Sequence, residues 1–148
     1  ASECGATLVT KDSLFREADV VTIHLRLSDR TRGLVGAREM GVMKPTAYLV
    51  NTSRGPIVDE TALLDVLRRK AIAGAAVDVF DPEPLPADYP LLRMENTVIT
   101  PHLGYVTVEN YRVMYGQAVE DIQAFLSGRP IRLLNPKVLE QPNLRRPK

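Results

Sequence analysis

The sequence has almost no cysteine, no long apolar run and no excess of charge of either sign. Each absence closes off a class of protein. Its 148 residues hold one cysteine, Cys4, so no internal disulfide can form. That suits a cytoplasmic protein, whose thiols stay reduced. No apolar stretch approaches the roughly 18 residues a membrane-spanning helix needs, and nothing resembles a secretory signal. Lys and Arg together number 19 against 18 Asp and Glu, a formal charge of +1. No stripe of clustered basic side chains occurs, so nucleic acid is not an expected partner. The basic tail Arg145-Arg146-Pro147-Lys148 is short and reads as a frayed terminus. No internal repeat or low-complexity stretch is present, and no metal site is expected.

What remains is the composition of a globular domain, 45% hydrophobic and 25% charged. Short apolar runs alternate with helical periods, the pattern of an α/β layer around a parallel sheet. Thr10 can cap a helix through about Ala18, with Leu14 and Phe15 inward. The β-branched run Asp19–Leu25 suits a strand buried on both faces. Ser28–Gly33 reads as a loop, and a short helix around Arg38–Met43 stops before Pro45. Ala47–Asn51 is a second strand and Thr52–Pro56 the turn beyond it. Asp59 can cap a helix to about Lys70, with Glu60 in its first turn and Arg68, Arg69 and Lys70 in its last, matching the helix dipole. Ala75–Phe80 is a third strand, Asp81–Tyr89 a Pro-rich loop, and Thr97–Thr100 a short fourth strand. Val108, Tyr111, Tyr115, Ala118, Val119, Ile122 and Phe125 fall at helical spacing over Thr107–Ser127, with Gly128 and Pro130 ending the helix. The tyrosines of that helix are expected to pack in a core or against another domain.

Three polar clusters each follow directly after an expected parallel strand: Asn51–Gly55, Asp78–Glu83 and Pro101–Tyr105. In doubly wound sheets the carboxyl ends of the strands line the ligand crevice. Arg54, Asp78, Glu83 and His102 are therefore expected at one lip of the sheet. Arg54 offers a permanent charge and a planar fork suited to a carboxylate and an adjacent carbonyl. His102 can give or take a proton near neutral pH. Glu83 can accept from the imidazole's other nitrogen and fix its tautomer. The trio suits proton transfer to a small 2-oxo or 2-hydroxy acid. His24, at the end of the first strand, reads as a structural histidine rather than a cofactor contact.

These residues lie in longer patterns. Asn51-Thr52-Ser53-Arg54-Gly55-Pro56-Ile57-Val58-Asp59-Glu60, Gly74-Ala75-Ala76-Val77-Asp78-Val79-Phe80-Asp81-Pro82-Glu83-Pro84 and Thr100-Pro101-His102-Leu103-Gly104 resemble, in order, three signatures of the D-isomer-specific 2-hydroxyacid dehydrogenases, phosphoglycerate dehydrogenase-like members included. The resemblance runs from about Leu8 to Arg132. It implies an oxidoreductase that transfers a hydride between NAD(H) and a D-2-hydroxy acid or 2-oxo acid. Arg54, Glu83 and His102 would be catalytic: Arg54 orienting the substrate, His102 as acid/base, Glu83 as its acidic partner. Asp78 would bond the nicotinamide carboxamide. Leu25, Thr52, Ser53, Arg54, His102, Leu103, Gly104 and Tyr105 would also lie along the cofactor.

Two departures stand out: Arg26 occupies a position where the family usually has Pro, and Tyr105 one where it has a small residue. The glycine-rich phosphate turn G-x-G-x-x-G is absent from the sequence. The chain is therefore expected to be the C-terminal half of a Rossmann-type doubly wound parallel sheet with a long crossing helix. Residues 1–128 would form the partial NAD-binding domain and 129–148 a tail leading to the substrate domain. It begins at Ala1 rather than Met, as a fragment would, and by itself should have little or no activity. The parent is expected to be a homodimer. The alternatives are a non-catalytic, corepressor-like NAD-sensing module and an inert fragment.

Overall fold

A computed structural model describes residues 2–140; the basic run Arg145–Lys148 lies outside them. The chain divides into two compact units, Ala1–Gly104 and Tyr105–Lys148.

The first unit is built on four parallel strands, β1 (Val20–Ile23), β2 (Tyr48–Asn51), β3 (Gly74–Val77) and β4 (Thr97–Ile99), side by side in chain order. This is the parallel α/β layer that the alternating pattern implied, in the Rossmann-like arrangement that the resemblance implied. Helices α1 (Lys11–Glu17), α2 (Ala37–Gly41) and α3 (Glu60–Arg68) come before β1, between β1 and β2, and between β2 and β3. Two of these starts are fixed by local capping. Thr10 Oγ1 accepts from the Ser13 amide at 3.2 Å, and Asp59 Oδ1 from the Ala62 amide at 3.0 Å. α3 buries Ala62, Leu63, Val66 and Leu67 along one stripe. That stripe joins Phe15 of α1, Met40 of α2 and Val21, Ile23, Leu49, Ala75 and Val77 of the sheet in a single core. Fully burying one such leucine or isoleucine stabilises the fold by roughly 1.5–3 kcal/mol. A short 3-10 helix, Pro90–Arg93, precedes β4.

Two expectations about burial are corrected. β1 is not buried on both faces: Val21 and Ile23 are covered, whereas Val20 is 56% exposed. The helical layer of this unit meets one face of the sheet, and Val20, Tyr48 and Val98 stay exposed. Leu14 is also exposed, because the seven-residue α1 turns only Phe15 into the core.

The second unit is dominated by α4 (Val108–Leu126). Thr107 Oγ1 caps it by accepting from the Asn110 amide at 3.1 Å. Gly128, at φ +72°, turns the chain so that the Arg129 amide reaches back to the Ala124 carbonyl at 2.9 Å. The tyrosines of this helix are not core residues: Tyr111 and Tyr115 are exposed and meet edge to face, ring centres 5.3 Å apart. Their four-residue spacing stacks them on one side of the helix, so they find each other.

Candidate functional site

The site is assembled where β1 to β4 end. Asn51 closes β2 and is 2% exposed. A buried amide must satisfy both its donor and its acceptor. Its Oδ1 accepts from the Ser53 amide at 3.0 Å and its Nδ2 donates to the Arg54 carbonyl at 2.9 Å. One side chain thus fixes the turn that presents Arg54. Gly55 then brings this turn hard against the segment leaving β3, since a Cβ there would stand 2.5 Å from the Phe80 carbonyl carbon. Ser53 ties the turn to β1: its hydroxyl donates to the Ile23 carbonyl at 2.7 Å and accepts from the Leu25 amide at 3.2 Å. Arg54 itself is exposed, and its guanidinium donates to the Ser53 carbonyl at 2.6 Å.

Asp78 follows β3 and is 5% exposed. Its Oδ1 accepts from the Thr100 hydroxyl and from the Leu103 amide at 2.7 Å; its Oδ2 accepts from the Gly104 amide at 2.8 Å. Burial pushes its carboxyl up, but these donors outweigh burial and hold it below the usual carboxylate range. The carboxylate thereby binds both ends of the segment that carries His102. His102 has φ +58°, the left-handed region that a non-glycine residue occupies at a cost of roughly 1–2 kcal/mol. Its amide donates to the Thr100 carbonyl at 3.0 Å. Asp78 and Thr100 together impose that conformation from both sides.

His102 Nδ1 lies 2.8 Å from Glu83 Oε2. The other carboxylate oxygen, Oε1, accepts from the Phe80 amide at 2.8 Å. Glu83 is thus oriented by backbone and in turn orients the ring. Both side chains are 35% exposed, open enough to meet a ligand. The His102 contact, then the Phe80 amide, hold the Glu83 carboxyl low, with the Arg54 charge adding to them.

Of the residues singled out in the sequence, Glu83 and His102 are in contact. Asp78 meets Leu103 and Gly104, and Ser53 meets Leu25. Leu25, Thr52, Ser53 and Arg54 line a cleft of about 480 Å³ together with His24 and Arg26. Tyr105 belongs to the second unit, where its carbonyl accepts from Asn110 Nδ2 at 2.8 Å. His24 is exposed and hydrogen-bonded to Thr22 at 3.0 Å, not buried at the end of a covered strand. The sequence reading missed what Asn51 and Thr100 do. The available signal was a polar residue at the inward position of a strand end, where burial demands a partner. A cleft of exposed backbone and cationic side chains at parallel strand ends fits an anionic dinucleotide. Among the described residues, no group of His, Cys, Asp and Glu could hold a metal ion.

A family model described as D-isomer specific 2-hydroxyacid dehydrogenase, NAD binding domain, matches residues 1–104, the same stretch as the first compact unit. The chain is 45% identical to a glyoxylate reductase of Aeropyrum pernix, over 93% of this chain and 42% of that protein. It is 43% identical to glyoxylate/hydroxypyruvate reductase B of Enterobacter agglomerans, over 93% and 43%. It also resembles the NAD-complexed crystal structure of a D-isomer specific 2-hydroxyacid dehydrogenase from Lactobacillus delbrueckii ssp. bulgaricus. There the TM-score is 0.72 at 33% identity, covering 85% of this chain and 42% of that one. The chain spans about two fifths of the length of each of these relatives.

Proposed function

The chain belongs to the family of D-isomer-specific 2-hydroxyacid dehydrogenases through its NAD-binding domain, and on that premise we propose that its protein reduces a small 2-oxo acid to the D-2-hydroxy acid, reversibly. When bound, NADH would supply the hydride to the carbonyl carbon. The chain's own residues do the rest. Arg54 grips the substrate carboxylate and leans on the carbonyl oxygen, holding the carbon in line. His102 delivers a proton from Nε2 to that oxygen as the C–O bond becomes an alcohol. Glu83 holds Nδ1, so that the proton to be moved sits on the opposite nitrogen, Nε2. Asp78 holds the loop that carries His102. Three of its roughly four acceptor positions are filled, which leaves room for one bond from the nicotinamide carboxamide.

The observation that supports this reading best is the Glu83–His102 contact at 2.8 Å, formed between residues 19 apart in sequence. The relatives' names make glyoxylate and hydroxypyruvate the first substrates to try. We further propose that the protein uses NAD rather than NADP, is a cytoplasmic homodimer that does not bind nucleic acid, and forms its NAD-binding domain from residues 1–128, with the tail, 129–148, leading on to a substrate domain. No helix among the described residues is long and apolar enough to cross a membrane. The test is turnover of a panel of 2-oxo acids with NADH. Oxidation of NADH on at least one of them is expected; none on any would favour a non-catalytic nucleotide-sensing module.

A further inference from the structure

Arg26 is the residue the proposed reaction leaves unused. It lines the cleft beyond the ends of β1 and β2, together with His24 and Arg54. None of the residues lining that cleft is acidic. Among the described residues, neither Arg26 nor Arg54 forms an ion pair, although Arg38, Arg69 and Arg132 all do. With cationic side chains and no carboxylate in its lining, the hollow favours an anion.

The cleft is also braced. Thr31 Oγ1 donates to the Arg26 carbonyl at 2.8 Å and accepts from the Ser28 amide at 2.8 Å, which holds the backbone on one side of Arg26. The Ser53 hydroxyl staples the other side, bonding the Ile23 carbonyl and the Leu25 amide. Both walls are therefore fixed before any ligand arrives, so little ordering cost falls on binding.

We propose that Arg26, with His24, forms a second anion subsite in this cleft that takes a phosphate-type group. Arg54 remains with the reacting carboxylate. The group's carrier is either the diphosphate of the dinucleotide or a second anionic group on the 2-oxo acid. Only this choice of carrier rests on the proposed function. A planar guanidinium binds phosphate oxygens bidentately, which a proline or an amide at position 26 cannot do.

The first measurement needs no turnover. The protein is titrated with inorganic pyrophosphate and followed by the side-chain Nε–H resonances of its arginines. The Arg26 resonance is expected to shift saturably. Arg26→Gln should weaken pyrophosphate about tenfold, the loss of one charge-assisted contact. A flat Arg26 resonance, or unchanged pyrophosphate affinity in Arg26→Gln, overturns the subsite even if the protein proves an active dehydrogenase. If the protein turns over no 2-oxo acid, saturable pyrophosphate binding at Arg26 still supports it. The carrier is then read from the same variant. Weaker NADH binding identifies the dinucleotide diphosphate. A raised KM confined to a 2-oxo acid bearing a terminal phosphate, relative to glyoxylate, identifies the substrate.

Discussion

Two carboxylates lie five residues apart on the segment leaving β3, and they are solvated differently. Asp78 is 5% exposed and takes its bonds from two backbone amides and a hydroxyl. Glu83 keeps 35% of its side chain open and spends one oxygen on an imidazole. Both carboxyls are held low, so a lowered pKa does not tell them apart. What differs is the partner. Backbone donors make Asp78 a scaffold, because they cannot move without the chain. A ring that can gain and lose a proton makes Glu83 part of the chemistry.

The sharpest way to break this contrast is to remove the ring. His102→Ala is expected to lower turnover by roughly 100- to 10,000-fold while NADH affinity, measured by fluorescence titration, stays within a few-fold. Wild-type turnover would take His102 out of the chemistry and leave Glu83 an ordinary surface charge.

Removing the scaffold should register first in stability. Asp78→Ala strands the Leu103 and Gly104 amides without their acceptor and frees the left-handed turn at His102. A loss of about 1.5–3 kcal/mol is expected in denaturant unfolding, the usual worth of hydrogen bonds to a charged group. Turnover should fall with it, since His102 is no longer held. A variant as stable as the parent would show that the loop holds itself.

These two roles were unequally legible in the sequence. Glu83 and His102 could be singled out because their chemistry is in the residue types and their place at strand ends follows from the alternation. The helix starts at Thr10 and Asp59 were legible for a similar reason: a cap acts over three residues. Asp78's grip on Thr100, Leu103 and Gly104 spans 22 to 26 positions and depends on β4 lying beside β3. No local pattern encodes that. The burial errors have the same origin. Val20 sits in an apolar run, yet its exposure depends on what covers that side of the sheet. Tyr111 and Tyr115 have the period of a packed face, and period alone cannot say what the face meets.

Glu83→Gln tests the working carboxylate more gently. The amide keeps the Phe80 contact but cannot stabilise an imidazolium, so turnover should fall about tenfold with stability near neutral pH little changed. The pH dependence of folding gives a second reading. Both carboxyls have folded pKa values below their unfolded ones, so each stabilises the fold above the unfolded value of about 4. That stabilisation is lost as the pH falls through the folded values. In Glu83→Gln the contribution of residue 83 is gone, and stability should fall less steeply below about pH 4 than in the parent. An identical acid slope would show that the Glu83 contact adds nothing to the fold.

A third carboxylate sets the bottom of the scale. Asp65 also has its pKa lowered, first by its hydrogen bond from Arg69, one turn along α3 at 2.9 Å. Yet both side chains are 59% exposed. Water screens such a pair, and holding two side chains in one geometry costs entropy that offsets the attraction. Asp65→Asn should therefore leave both the thermal midpoint and turnover at the parent's values. If it lowered either as much as Glu83→Gln does, partial exposure and a ring partner would no longer distinguish Glu83. Carboxylates here would then have to be ranked by proximity to any cation rather than by burial and partner.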